Sequence, residues 1–411
     1  MAPRFGHLRG LADVLVCLVL TSFCPASETL FGKVMCGYQG WFTAAGDASN
    51  LGWRHYGFEK PDQCHIDLWP DVTEFEADEL YETPLRFADG TPAKVFSSAN
   101  AKTVHRHFNW MKEHGIDGVF LQRFGAVLRD KRSEAHADRV LGHVRAAAEA
   151  TGRSWCIMYD LSGLKVGEIE QLVMQDWKKL LKHTNSPAYQ RHLGKPVVAV
   201  WGIGFNDGRD YTLDECSELL RFLHDNPEFG NLTVMAGVPW GWRTLNRDAV
   251  ADPSLHEVLR KADIISPWSV GRYDGASAVP AITKVHAEDA TWCLQQHKEY
   301  LPVVFPGFSW ANLMKMRGQE AKLNQVPRNG GQFMWDQAAT RVKLGATMLY
   351  VAMFDELDEG TAVMKTTSKV PEGTKGFVTE PELPSDHYLW LTGQIGKLVR
   401  RELPADTLPQ R

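Results

Sequence analysis

Near the end of the chain the stretch DELDEGT, residues 355–361, places four carboxylates within five positions directly after an apolar run. Hydrolysis of a glycosidic bond needs a proton donor for the leaving oxygen and a second carboxylate that serves as nucleophile or base. Two acids a few ångströms apart are the smallest set that supplies both. Glu356 and Glu359, three residues apart, fall on one side of the chain if the turn is helical. Asp355 would support them, and Asp358 would raise a neighbour's pKa by like-charge repulsion. A solvated surface turn is the competing reading of the same four acids.

Chemistry of that kind needs a scaffold that ends a strand at this turn. Eight apolar segments recur along the chain: KVMCGYQGW (33–41), DGVFLQRF (117–124), SWCIMYDL (154–161), PVVAVWGI (196–203), LTVMAGVPW (232–240), ADIISPW (262–268), LPVVFPGF (301–308) and ATMLYVAMFDE (346–356). Each is nearly continuous in hydrophobicity rather than alternating, the pattern of strands buried on both faces of a parallel sheet. Stretches with helical spacing lie between them. In AKTVHRHFNWMKEHG, Val104, Phe108 and Met111 share a face and Gly115 is the stop. Others are EAHADRVLGHVRAAAEATG, GEIEQLVMQDWKKLLKH, TLDECSELLRFLHDN and FMWDQAATRVKLG, with DHYLWLTGQIGKLVRREL as a closing helix. Strand then helix, repeated around eight strands, predicts an α/β fold of the (β/α)8 TIM-barrel type, a single domain over 27–411. The stretch from about 43 to 100 is a long insertion between the first strand and the first helix. It is expected to fold over the barrel mouth, with the acids of HIDLWPDVTEFEADELYETPLRF facing solvent.

Barrels of this type build their sites at the C-terminal ends of the strands. Read in order, those ends supply Tyr38, Gln39 and Trp41, then Arg123, Tyr159 and Asp160, then Trp240, Trp242, Trp268 and Trp310, and finally Asp355, Glu356 and Glu359. Aromatic rings stack on the apolar faces of sugars, and carboxylates and amides bind hydroxyls, so the set predicts an oligo- or polysaccharide partner. Core packing competes for any single tryptophan. A salt bridge to the acidic turn competes for Arg123, and a helix cap for Asp160. His105 and His107, two apart in a helix, face different sides and read as structural.

With a net charge of −5 and scattered Lys and Arg there is no basic stripe, and nucleic acid is not an expected partner. The absence of GxSxG, GxGxxG and HExxH motifs argues against serine-hydrolase chemistry, a nucleotide cofactor and a zinc protease, so no cofactor or metal is expected. Arg4 and Arg9, the apolar stretch 14–23 and the small residues Ala26 and Ser27 read as a secretory signal peptide over 1–26. That predicts a secreted or periplasmic chain with no stable membrane insertion after cleavage; the apolar run is short for a transmembrane anchor. The cysteines left, Cys36, Cys64, Cys156, Cys216 and Cys293, are too scattered for a disulfide framework. Buried free thiols are expected, with Cys36 and Cys64 the one pair that an oxidising compartment would favour.

Two segments carry a resemblance to a known group. FNWMKEHGIDGVFLQRF at 108–124, and above all DELDEGT at 355–361, resemble the glycosidase clan of the family 99 endo-α-mannosidases and family 71 α-glucanases, in which Glu-x-x-Glu-Gly-Thr ends the eighth strand. The resemblance implies a retaining, endo-acting hydrolase of an α-linked glycan, an α-mannoside first. Glu356 would be the base on the substrate's own 2-hydroxyl, which attacks C1 to give a 1,2-anhydro sugar. Glu359 would protonate the leaving group and then activate water. The mannosidases place Trp-His between the two glutamates, where this chain has Leu357 and Asp358. Two further readings stay open: a barrel that binds carbohydrate without cleaving it, and a glycosidase for xylose, arabinose or glucose that uses the same two acids.

Overall fold

All eight apolar segments form strands of one parallel sheet: β1 Val34–Tyr38, β2 Gly118–Phe124, β3 Ser154–Asp160, β4 Lys195–Trp201, β5 Thr233–Val238, β6 Ile264–Pro267, β7 Val303–Val304 and β8 Leu349–Val351. The structure, a computed structural model, describes residues 28–60, 63–374 and 376–411, and the expected signal peptide lies outside the described residues. β1, β3, β5, β6, β7 and β8 are buried at every position, which is why their sequences show no alternation. Neighbours pair in the order β6-β5-β4-β3-β2-β1-β8-β7.

Closure of the ring falls to the seventh segment, which is broken at Pro302. Ahead of the break, Glu299–Tyr300 pairs in parallel with β6, and Leu301 N donates to Ile265 O at 2.9 Å. Beyond it, β7 pairs with β8. Proline has no N–H to give to a ladder, so the strand changes partner where its own pairing would fail. The result is the expected (β/α)8 barrel.

Around the ring lie α1 Ala101–His114, α2 Lys131–Thr151, α3 Gln175–Leu180, α4 Leu213–Asp225, α5 Ser254–Leu259, α6 Ala278–Gln295, α7 Ala311–Met316, α8 Gln332–Lys343 and α9 His387–Val399. In α1 the face of Val104, Phe108 and Met111 is buried, Asn100 caps the first turn and Gly115 ends the helix in the left-handed region. His107 is buried on α1 while His105 is exposed, as their spacing requires. The helix α6 has no counterpart in the apolar pattern. Its inward face runs Ala278, Ile282, His286, Asp289 and Cys293, and two of these five are polar, which hides the 3.6 period.

The insertion is more structured than an extended loop. It contains an antiparallel hairpin, Leu80–Arg86 with Pro92–Phe96, and buries Tyr56, Phe58, Trp69 and Phe75 in the core. Its acids do not form one solvated face. Glu79 is buried and paired with Arg106 of α1. Asp67 is buried, where it accepts from Ala311 N at 2.7 Å and Asn312 N at 2.9 Å. It thereby caps α7 from a distant part of the chain and ties the insertion to the barrel mouth. The cysteines Cys36, Cys64, Cys156, Cys216 and Cys293 are free and buried.

Candidate active site

The acid turn follows β8 and is held by the end of β1. Asp355 accepts from Gln39 N at 2.7 Å and from Gly40 N at 2.8 Å, one oxygen each. Glu356 accepts from Gln39 Nε2 at 2.7 Å on Oε1 and from Thr361 Oγ1 at 2.6 Å on Oε2. Both of its oxygens are therefore fixed by neutral donors from opposite sides. Two glycines make room. A Cβ at Gly37 would stand 2.1 Å from the Tyr350 hydroxyl, so only glycine lets that ring cross the barrel there. Gly360 sits at φ +64, and a Cβ there would meet Ser309 N at 2.9 Å.

Glu359 is held differently. Its backbone oxygen accepts from Ser309 N at 2.9 Å, but its carboxyl group has no hydrogen-bond partner among the described residues and is partly exposed. One glutamate is clamped and the other is open to whatever occupies the mouth. Leu357 is buried and its carbonyl accepts from Asp67 N and Leu68 N of the insertion. Asp358 is buried too, with Oδ2 3.2 Å from His55 Nδ1 and Oδ1 unpartnered.

Burial and crowding raise the proton affinity of this turn. Burial lifts Asp355 to about 7 against the two backbone N–H groups that oppose it. Glu356 is raised well above the ordinary carboxylate range by burial, then by the charges of Glu359 and Asp358, with Thr361 and Gln39 opposing. Glu359 is lifted to about 7 by burial and then by Asp358, with Arg317 opposing. Both glutamates are thus held toward the protonated form, by burial first and by neighbouring carboxylates second.

Four more of the expected residues sit at or beyond strand ends. Asp160, at the end of β3, accepts from Ser162 N at 2.7 Å and is raised to about 6 by burial. Trp41, Trp268 and Trp310 are partly exposed. Trp268 meets Trp201 edge-on at 5.5 Å, and Trp310 follows Ser309 directly and packs on Phe308 at 5.1 Å.

The remaining expected contacts lie inside the fold. Tyr38 is buried with its hydroxyl 2.9 Å from His107 Nδ1. Tyr159 is buried and donates to Asp176 at 2.8 Å. Arg123 is buried in ion pairs, with Nε 2.6 Å from Asp176 and Nη2 2.7 Å from Asp138, and not with the acid turn. Trp240 packs on Tyr273, and Trp242 is enclosed between Trp292 and His256. For all five, a strand-end position fixes the height in the barrel but not whether the side chain points to the axis or to the helices. His55 and Thr361 complete the site, and the first carries no signal in the sequence. It sits in WRHYGF, a stretch without period.

No protein-family model matches the sequence, and no curated protein matches it. Solved structures do resemble it. The GH99 endo-α-mannosidase from Bacteroides thetaiotaomicron is 15% identical, the match covering 92% of this chain and 100% of that one at a TM-score of 0.66. The same mannosidase in complex with Bis-Tris-Propane gives 15% identity, 91% and 99% coverage and a TM-score of 0.62. A protein described as glycoside hydrolase-like is 12% identical over 82% of this chain and 95% of its own, with a TM-score of 0.50. The chain has the (β/α)8 fold of the GH99 endo-α-mannosidase.

Proposed function

We propose that the protein is a glycoside hydrolase that cleaves an α-linked glycan with retention, an α-mannoside first. The observation that carries this reading is the unequal holding of two glutamates just past the end of β8: Glu356 clamped by Gln39 and Thr361, Glu359 open. The clamp suits a fixed base, because Gln39 and Thr361 donate to the ionised carboxylate and oppose the burial that raises its proton affinity. Glu356 takes the proton of the substrate 2-hydroxyl, O2 forms a bond to C1, and the C1–aglycone bond breaks as Glu359 gives its proton to the leaving oxygen. Glu359 then takes a proton from water, whose oxygen bonds to C1 as the C1–O2 bond breaks, and O2 recovers its proton from Glu356. Attack by O2 from the far side of C1 requires the 2-hydroxyl to be trans to the leaving group. An α-mannoside has that arrangement and an α-glucoside does not, so the route itself favours mannose.

The test is the anomer first released from α-mannan, read by proton NMR. The α-anomer is expected, the β-anomer would overturn the retaining route, and no product would overturn the hydrolase. A second reading, a barrel that binds glycan without cleaving it, is favoured by Leu357 and Asp358 between the glutamates. Retention of the chain on mannan without release of reducing ends would decide for it. Export belongs to the same proposal and rests on Arg4, Arg9 and the apolar stretch 14–23. Amino-terminal sequencing of the exported protein checks it, with a start near residue 27 expected.

A further inference from the structure

The insertion delivers to the acid turn a histidine that the route above does not use. His55 Nδ1 stands 3.2 Å from Asp358 Oδ2. Its ring lies flat on the Trp41 indole, centroids 3.7 Å apart and planes at 6°, and Trp41 stacks in turn on Phe124 at 5.4 Å. The backbone of His55 is in the left-handed region at φ 64, where residues with a Cβ are uncommon. Backbone, ring face and Nδ1 together leave the imidazole one position.

The side chain of Asp358 is 5% exposed and that of His55 is 34% exposed, so the contact runs from the interior of the turn to a ring that still meets solvent. An imidazole that gives its Nδ1 proton to a carboxylate presents Nε2 as an acceptor, and the carboxylate selects that tautomer. His55 also lines a cavity of about 70 Å³ with Gln39, Trp41, Gln122 and Arg123, and Gln39 is the residue that clamps Glu356. What ties the ring to the acid turn is its contact with Asp358, the residue directly before Glu359. The free Nε2 would meet a hydroxyl as an acceptor.

We propose that His55 contacts the substrate, accepting a glycan hydroxyl through Nε2, and that Asp358 is the positioning residue that fixes its tautomer and orientation. The proposal rests on the carbohydrate reading of the site and adds a residue from the insertion to it. It also gives the residue between the glutamates a role: Asp358 is directed to the ring that meets the sugar rather than to the sugar.

Yeast α-mannan is the probe, read in two ways: reducing ends released, and retention of a Glu359→Gln chain in mannan-containing gels. His55→Gly removes the ring and suits φ 64, so the backbone keeps its path; His55→Gln restores a side-chain acceptor. His55→Gly is expected to raise KM at least tenfold with kcat changed less than threefold, and to weaken retention by a similar factor. His55→Gln should recover part of both, and Asp358→Asn should weaken retention less than His55→Gly. Unchanged KM and retention in His55→Gly would overturn the proposal and leave the hydrolase reading standing. A wild type that is retained without cleaving, and loses retention in His55→Gly, would support the contact and overturn the hydrolase. A wild type that neither cleaves nor is retained would overturn both. Equal losses of kcat and melting temperature in both His55 variants, with KM unchanged, would make the ring a structural group and overturn the contact.

Discussion

Gln39 and Glu356 are joined across the seam between β1 and β8, Nε2 to Oε1 at 2.7 Å. The same residue's backbone N–H holds Asp355, so one glutamine at the end of the first strand orients two consecutive acids of the last. Removing the side chain leaves Glu356 with Thr361 as its one donor and frees it to rotate. Gln39→Ala is expected to lower kcat about 10²-fold, with a smaller change in KM, because groups that orient a reacting residue commonly cost that much. Gln39→Glu should cost more, since it sets a third carboxyl group against the pair. Steady-state kinetics on α-mannan checks both, and a kcat of Gln39→Ala within twofold of the wild type would contradict the clamp.

On the proposed route Glu359 is the proton donor, and the donor sets the alkaline limb of activity. Glu359 is lifted to about 7 by burial and then by Asp358, and it protonates the leaving group only while it holds its proton. kcat/KM should therefore fall as pH rises through about 7. Asp358→Asn removes the second of those causes, lowers the affinity of Glu359 for its proton and moves the limb toward acid by roughly half a pH unit or more. A limb that stays in place in Asp358→Asn would remove the like-charge account of the donor.

The same crowding costs stability. A carboxyl group whose folded pKa lies above its ordinary value of 4.5 binds its proton more tightly in the native state, so unfolding becomes easier as pH rises between 4.5 and about 7. Glu359→Gln is expected to raise unfolding free energy at pH 8 by about 1 kcal/mol, the usual scale of gain when a strained functional group is removed. At pH 5, where Glu359 is mostly protonated, the gain should nearly vanish. Urea unfolding at the two pH values gives the comparison. A variant less stable than the wild type at pH 8 would show that Glu359 holds the fold rather than strains it.

Particular residues show what was legible before the structure. The eight strands were readable because full burial on both faces leaves continuous apolar runs, and the acid turn could be placed by counting them. Which residues at the strand ends reach the mouth was not readable. Gln39 reaches Glu356, while Tyr38, immediately before it, is buried against His107, and Tyr159 at the end of β3 is buried against Asp176. A strand alternates its side chains, so neighbours in sequence part company, and the phase of that alternation is not set by a run that is apolar on both faces. The role of the insertion was hidden for another reason. Asp67 and His55 act through contacts with residues 244 and 303 positions away, Ala311 and Asp358, and local periodicity records nothing of such pairings.

Arg123 is where a binding role and a structural role predict opposite outcomes. Its guanidinium is buried, with Nε and Nη2 on Asp176 at 2.6 and 2.7 Å and Nη2 on Asp138 at 2.7 Å, and Tyr159 adds a donor to Asp176 at 2.8 Å. Arg123→Ala would leave Asp176 charged in the interior with the tyrosine hydroxyl as its remaining partner. Breaking one side of a buried pair costs about 3–5 kcal/mol, whereas replacing both sides by apolar residues of similar size is often near neutral. The single variant should therefore be strongly destabilised, and the double variant Arg123→Met with Asp176→Leu should recover most of the loss. KM on α-mannan should stay within about twofold in the double variant, because the guanidinium is engaged by Asp176 and Asp138. Were Arg123 instead a substrate ligand, the order would invert: KM would rise in both variants and the double replacement would rescue stability without rescuing binding.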